Sequence, residues 1–167
     1  MRYNDIKIND SINGEGVCVS LFVQGCARHC KGCFNKDTWD FNKGKPFGGR
    51  ELQYIKHSLF ANGLKRNLSI LGGEPLNPQN IKDVKTIIKD IKIFDNTIKI
   101  FVWTGYTYEE LIDMYSEKCL EGIDVLIDGK FEIEKKDVTL SLRGSSNQRI
   151  IDVPSTLKNG KIVLYKE

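Results

Sequence analysis

The sequence predicts an α/β fold in which a mostly parallel sheet forms an incomplete (β/α) barrel. Short β-branched runs alternate with stretches of helical periodicity, which implies right-handed βαβ units. The chain has 167 residues, well short of the roughly 250 usual for a complete eightfold barrel. Polar or glycine-rich clusters follow the predicted strands at their carboxyl ends, where parallel sheets bind ligands. A single domain over residues 1–167 is expected at this length.

The first strand is read over residues 17–24, where Val17, Val19, Leu21, Phe22 and Val23 are apolar, and it runs directly into three closely spaced cysteines. Leu52, Ile55 and Leu59 recur at helical spacing within residues 50–62. Leu68, Ile70 and Leu71 make a second strand that ends in Gly72-Gly73-Glu74-Pro75. Asn77 as N-cap, Pro78 at N1 and a Leu76–Ile81 staple start a helix that runs to about Lys92 and buries Ile81, Val84, Ile87, Ile88 and Ile91. Residues 98–103 form a third strand. Thr107 and Glu110 are then spaced as a capping box, with Tyr106 and Leu111 as its staple, for a helix carrying Leu111, Ile112 and Tyr115. Val125, Leu126 and Ile127 are a fourth strand ending in Asp128-Gly129-Lys130, and two shorter candidates lie at 149–153 and 162–165. No internal repeat or low-complexity stretch is visible.

The 25 Lys and Arg against 22 Asp and Glu leave a net charge of +3, too mild for a dedicated nucleic-acid binder. Mean hydropathy is −0.33. No apolar run reaches about 18 residues, and Met1-Arg2-Tyr3-Asn4-Asp5 turns polar at once. Neither a membrane span nor a signal peptide is therefore expected, and the protein is read as cytoplasmic.

Of the five cysteines, Cys26, Cys30 and Cys33 lie within eight residues as CxxxCxxC, poor geometry for a disulfide framework and good geometry for a metal. Gly25 and Gly32 permit a tight chain wrap around them. Zinc would require a fourth ligand from His29, Cys18 or Cys119. A cubane 4Fe-4S cluster is normally held by four cysteines, so three leave one iron open to an external ligand. The same spacings also fit one helix face, and Cys30-Lys31-Gly32-Cys33 alone spells a CxxC redox pair, against which Cys26 argues. Gly72-Gly73-Glu74-Pro75 clears side chains from a ligand's approach and sets a carboxylate beside it for a cation such as an amine.

Together, Cys26 to Cys33 and Gly72-Gly73-Glu74 resemble the radical S-adenosylmethionine (SAM) superfamily. Within it the chain looks most like the glycyl-radical activases of anaerobic ribonucleoside-triphosphate reductases. The matching stretches are Gln24-Gly25-Cys26 through Cys33-Phe34-Asn35, Gly72 to Leu76, Val102 to Thr107, Asp124 to Gly129 and Arg143-Gly144-Ser145-Ser146-Asn147-Gln148-Arg149. Gly32 departs from the wider superfamily, where an aromatic residue commonly precedes the third cysteine, but glycine there with Phe34 following suits the activase subgroup.

The resemblance implies that Cys26, Cys30 and Cys33 ligate a 4Fe-4S cluster and that SAM chelates its open iron. The reduced cluster would cleave SAM to methionine and a 5′-deoxyadenosyl radical, which takes hydrogen from a glycine of the reductase. Backbone around Gly32, Cys33 and Phe34 would contact SAM, while Gly72, Gly73 and Glu74 hold its amino group. Thr104 would reach its ribose or carboxylate, and Asp128 with Lys130 occupies a later strand end of the same site. The implied partners are the reductase's glycyl-radical subunit and a flavodoxin- or ferredoxin-type electron donor, with a homodimer or a heterotetramer with the reductase as the assembly. So small a barrel would borrow part of its wall from that partner.

Residues 143–149 read as a donor-rich loop for SAM or for the reductase, set against a hydrogen-bonded turn. Lys82, Lys85, Lys89 and Lys92 flank one helix as a solvated face, or as a dock for an acidic donor. Cys18, Cys119, Trp39 and Trp103 are read as packing residues. Two other functions compete. One is a radical SAM enzyme with a small-molecule substrate, resembling 7-carboxy-7-deazaguanine synthase, which Ser11-Ile12-Asn13-Gly14-Glu15-Gly16 favours and residues 143–149 do not. The other is a non-catalytic zinc or ferredoxin-like module.

Overall fold

The computed structural model describes residues 1–165. Seven strands make one sheet: β1 (Arg2–Asp10), β2 (Cys18–Val23), β3 (Lys45–Pro46), β4 (Asn67–Gly72), β5 (Ile100–Trp103), β6 (Val125–Asp128) and β7 (Arg149–Asp152). Four helices accompany it: α1 (Gly49–Ser58), α2 (Ile81–Phe94), α3 (Tyr108–Tyr115) and α4 (Val153–Asn159). The order across the sheet is β3-β1-β2-β4-β5-β6-β7. β2, β4, β5 and β6 are parallel neighbours, while β1 and β7 run antiparallel against the two sides of this block. The sheet does not close: β3 and β7 are its edges. The observed architecture is thus an open, mostly parallel α/β sheet rather than a closed barrel.

The parallel strands read as continuous apolar runs because both of their faces are covered. Val19, Leu21, Val23, Leu68, Ile70, Ile100, Val102 and Leu126 meet the helix layer, including the α2 stripe Val84, Ile87, Ile88 and Ile91. Burying each such side chain stabilises by about 1.5–3 kcal/mol. On the opposite face, Phe101, Val125, Ile127 and Ile150 pack with Trp103, Leu142 and Tyr165.

The α3 capping box forms as expected, with Thr107 Oγ1 accepting from Glu110 N at 3.2 Å and Glu110 Oε2 accepting from Thr107 N at 2.7 Å. The start of α2 differs. Asn77 opens a turn, its Oδ1 accepting from Gln79 N at 3.0 Å, and the helix itself begins at Ile81 after Asn80. Asn80 does not cap with its side chain. Its Nδ2 instead donates to Gln24 O at 3.1 Å and Glu74 O at 3.0 Å, tying together the loops after β2 and β4. Lys92 is likewise not a free member of a lysine face, because its Nζ donates to Ile98 O at 2.8 Å and Asp124 Oδ2 at 2.6 Å.

The expected strand at 162–165 reduces to one bridge, Ile151 to Leu164, flanked by Asp152 N donating to Val163 O at 2.9 Å and Tyr165 N donating to Ile150 O at 2.8 Å. α4 was not anticipated, although Asp152 caps it, Pro154 sits in its first turn and Gly160 ends it.

β7 is anchored by charge. Arg149 Nε donates to Asp128 Oδ1 at 3.0 Å, and its Nη1 and Nη2 donate to the two carboxylate oxygens of Glu109 at 3.0 and 2.7 Å. The guanidinium beside it pulls the Glu109 carboxyl down to about 2. Asp128 is 1% exposed, so Arg149→Ala leaves a buried carboxylate without its counter-ion. A loss of about 2 kcal/mol is expected in denaturant unfolding of the cluster-free protein, below the value for a fully buried pair because Arg149 is partly solvated.

Candidate functional site

The cysteine loop springs from the carboxyl end of β2 and is closed at its base. Gly25 N donates to Thr38 O at 2.7 Å and Cys26 N to Trp39 O at 3.0 Å. The buried Gln24 side chain donates to Asp37 O and Asp40 O at 3.0 and 2.8 Å. Inside the loop, Cys33 N donates to Cys30 O at 3.1 Å, and Cys33 Sγ accepts from Asn35 N at 3.3 Å. Gly32 takes φ +75°, and a Cβ there would stand 2.7 Å from Ile133 Cδ1, so the tight wrap does require glycine.

The loop after β4 docks directly on this base, with Glu74 N donating to Gly25 O at 2.8 Å. A Cβ on Gly73 would lie 2.5 Å from that same carbonyl oxygen. Gly73→Ala is therefore expected to push the two loops apart and to lower the iron bound per chain after reconstitution, measured by metal analysis. Full iron content in this variant would show the approach to be unnecessary.

Between the loops lies a cleft of about 140 Å³ at the carboxyl ends of β2, β4, β5 and β6. Of the residues expected at the site, Cys26, Cys30, Cys33, Gly72, Gly73, Glu74 and Thr104 line it. Gly32, Phe34, Asp128 and Lys130 are not among its lining residues. Phe34 is 69% exposed at 5.8 Å from the Phe131 ring, with Lys136 Nζ 4.9 Å above it. Asp128 faces Arg149 and accepts from Tyr108 N at 2.7 Å, and Lys130 is exposed.

The cleft also holds Arg28, Trp39, Trp103, Gly129 and Phe131, none of them expected there, together with Gln148 of the donor-rich loop. Trp103 Nε1 donates to Leu142 O at 2.7 Å, and Trp39 stacks on the exposed His29 at 4.4 Å.

Loop 143–149 proves to be a hydrogen-bonded wall, with most of its donors used internally. Gln148 Oε1 accepts from Gly144 N and Ser145 N, its Nε2 donates to Gly129 O, and Asn147 Nδ2 donates to Lys130 O. This network holds residues 129–130 against the cleft.

Burial pushes the Cys26 and Cys30 thiols up from their usual range. Burial also raises the Glu74 carboxyl, against the pull of three donors and of the nearby Arg28 charge. Glu74 Oε1 accepts from Thr104 Oγ1 at 2.7 Å and Leu76 N at 3.1 Å, and Oε2 accepts from Gly105 N at 2.6 Å. Three of the carboxylate's roughly four lone-pair sites are thus filled.

No fourth cysteine and no histidine joins the three thiols in the cleft lining. Cys18 sits at the opposite end of β2, its Sγ 3.6 Å from Glu15 O, and Cys119 is buried behind α3 with its thiol pushed up to about 11. Among the described residues, no three His, Cys, Asp or Glu side chains converge on a single metal ion. Three soft thiols distributed around one cleft suit a multi-iron cluster, where each thiolate takes its own iron, better than one tetrahedral zinc.

Residues 12–151 match the family described as a 4Fe-4S single cluster domain. The chain is 42% identical over 152 residues to the anaerobic ribonucleoside-triphosphate reductase-activating protein of Pasteurella multocida, covering 90% of this chain and 96% of that protein. With the protein so named from Escherichia coli, identity is 40% over 149 residues, covering 89% and 96% of the two chains. With that of Enterobacteria phage T4 it is 36% over 151 residues, covering 90% and 93%. Near-complete coverage at these identities, with a cluster-domain match enclosing the three cleft cysteines, leads to one assignment: the chain belongs to the family of anaerobic ribonucleoside-triphosphate reductase-activating proteins.

Proposed function

We propose that this chain is a radical SAM activase that generates the glycyl radical of an anaerobic ribonucleoside-triphosphate reductase. The observation that carries the reading is the meeting of Cys26, Cys30, Cys33 and the buried Glu74 carboxylate on one cleft at the ends of parallel strands. Cys26, Cys30 and Cys33 would hold a 4Fe-4S cluster, leaving one iron without a protein ligand. When bound, that cluster supplies the electron that splits SAM into methionine and a 5′-deoxyadenosyl radical, the species that takes hydrogen from the reductase's glycine.

The chain's own residues bind and orient. Gly72 and Gly73 let SAM approach the backbone, and Glu74 accepts from its amino group with the lone pair its internal donors leave. Thr104 fixes that carboxylate by donating to it. Trp39, Trp103 and Phe131 give the cleft apolar walls, which exclude water from a reactive radical.

The whole chain, 1–167, acts as a single partial-barrel domain of radical SAM type, and the unclosed sheet leaves the reductase to cover the cleft. A flavodoxin- or ferredoxin-type protein would supply the electron in the cytoplasm, and the activase would work as a homodimer or a heterotetramer with the reductase. Among the described residues no helix is long and apolar enough to cross a membrane.

Reconstitution with iron and sulfide without oxygen, followed by reduction and addition of SAM, should yield 5′-deoxyadenosine. A cluster-loaded, reduced protein that yields none contradicts the reading.

A further inference from the structure

Arg28 lies inside the CxxxCxxC loop, two residues after Cys26, and its side chain lines the cleft. Its guanidinium is held in place without being used up. Nη2 donates to Gly105 O at 2.8 Å, and the group lies over the Tyr106 ring with 4.7 Å to the centroid. Its ion pair is a loose one, 3.8 Å from the half-exposed Glu110 carboxylate. Nε is buried with no hydrogen-bond partner, and Nη1 makes no hydrogen bond among the described residues. A buried charged donor without a partner is costly, and such groups in folded proteins normally mark a place where another group completes the bonding.

Glu74 stands opposite. A Cβ placed on Gly105 would lie 3.3 Å from both Arg28 Nε and Glu74 Oε2, so a guanidinium and a carboxylate flank this one glycine. Both residues line the cleft, and a cation and an anion set this close complement the amino-acid end of SAM, whose amino and carboxylate groups share one carbon. The planar guanidinium fork matches a carboxylate in a way that an ammonium does not.

Resting on the SAM reading above, we propose that Arg28 binds the carboxylate at the amino-acid end of SAM, through the oxygen that chelation of the iron leaves free, paired beside Gly105 with Glu74 for the amino group. The pairing makes the cleft selective for an intact α-amino acid at the sulfonium's end, and it also explains why Arg28 is anchored by Gly105 O and Tyr106 rather than by a bidentate acidic partner.

The test is equilibrium dialysis of cluster-loaded protein against SAM and against decarboxylated SAM, read as the ratio of the two affinities. Iron per chain is measured in each variant, and the ratio is compared only at equal cluster content, because the cluster's open iron also favours the compound that keeps its carboxylate. Wild type should prefer SAM. Arg28→Gln and Arg28→Met, the latter keeping the packing on Tyr106, should each reduce the preference by about tenfold, or roughly 1.4 kcal/mol. The affinity for the decarboxylated compound should barely change in either variant. Lys31→Gln, which removes the same charge from the same loop on an exposed side chain, should keep the wild-type preference. A wild-type ratio in both Arg28 variants overturns the assignment of Arg28 and leaves the SAM reading standing. Wild-type protein that takes up neither compound overturns both.

Discussion

Cys30→Ala protein is expected to form 5′-deoxyadenosine from SAM no faster than buffer without protein, and to retain far less iron after reconstitution. Cys30 is 8% exposed, and burial pushes its thiol up, so the free thiol is an inert buried group until iron deprotonates it. With three thiols and no fourth in the cleft, the loss of one would leave the proposed cluster with two protein ligands. No neighbour can substitute. Cys18 lies at the far end of β2, and Cys119 behind α3. Cys18→Ala and Cys119→Ala should accordingly keep full iron content, which separates ligation from a general dependence on thiols. Cleavage by Cys30→Ala at the wild-type rate would sink the ligand assignment.

Glu74→Ala is expected to weaken SAM binding by about tenfold or more, the range of a lost charge-assisted contact, while iron content stays near that of wild type. The cluster loop does not rely on this side chain. It is closed by Gly25 N to Thr38 O, Cys26 N to Trp39 O and the Gln24 amide; Glu74 hydrogen-bonds to it through backbone alone, and its carboxylate meets the loop only through the charge of Arg28. The carboxylate does serve the loop after β5. Its removal strands the Gly105 and Leu76 N–H groups and the Thr104 hydroxyl, at a cost of about 1–3 kcal/mol for each buried group left unsatisfied. A lowered unfolding midpoint of the cluster-free protein should therefore accompany the weaker binding. Iron lost in proportion to SAM binding would mark Glu74 as a support of the cluster loop instead.

The sequence was most legible where local chemistry decides structure. The apolar runs of β2, β4, β5 and β6 are buried on both faces, so they announce themselves without alternation. The Thr107 and Glu110 pair fixes the start of α3 within a few residues. β1 was missed because Arg2–Asp10 carries only Tyr3, Ile6 and Ile8 as apolar residues, and its pairing with β2 is broken by irregularities between Tyr3 and Asp5 and between Lys7 and Asp10. α4 carries cap signals, Asp152 before it and Gly160 after it, but its seven residues show no long periodic stripe to mark a helix between them. Asn80 was outweighed by Asn77 as a cap because its real partners, the carbonyls of Gln24 and Glu74, are set by tertiary structure.

At the site, the spacing of the three cysteines alone suggested a metal, whereas Gly72-Gly73-Glu74 gained its role toward SAM only through the resemblance; the structure brings both to one cleft. Asp128 and Lys130 sit at the correct strand end, yet the ion pair with Arg149 takes up the Asp128 carboxylate. Arg28, Trp39 and Trp103 gave no usable signal. An arginine in a cysteine loop becomes meaningful only when the turn at Gly105 is seen to place it opposite Glu74.

The reaction proposed for this chain is activation of a reductase through a SAM-dependent glycyl radical. Its most direct measurement is an electron paramagnetic resonance spectrum of the reconstituted, reduced protein mixed without oxygen with SAM and the anaerobic reductase from the same genome. The predicted result is a glycyl-radical doublet that disappears when SAM is omitted or when Cys30→Ala protein is used. A reductase that stays free of the doublet while the activase is cluster-loaded and reduced contradicts the claim, even if 5′-deoxyadenosine accumulates.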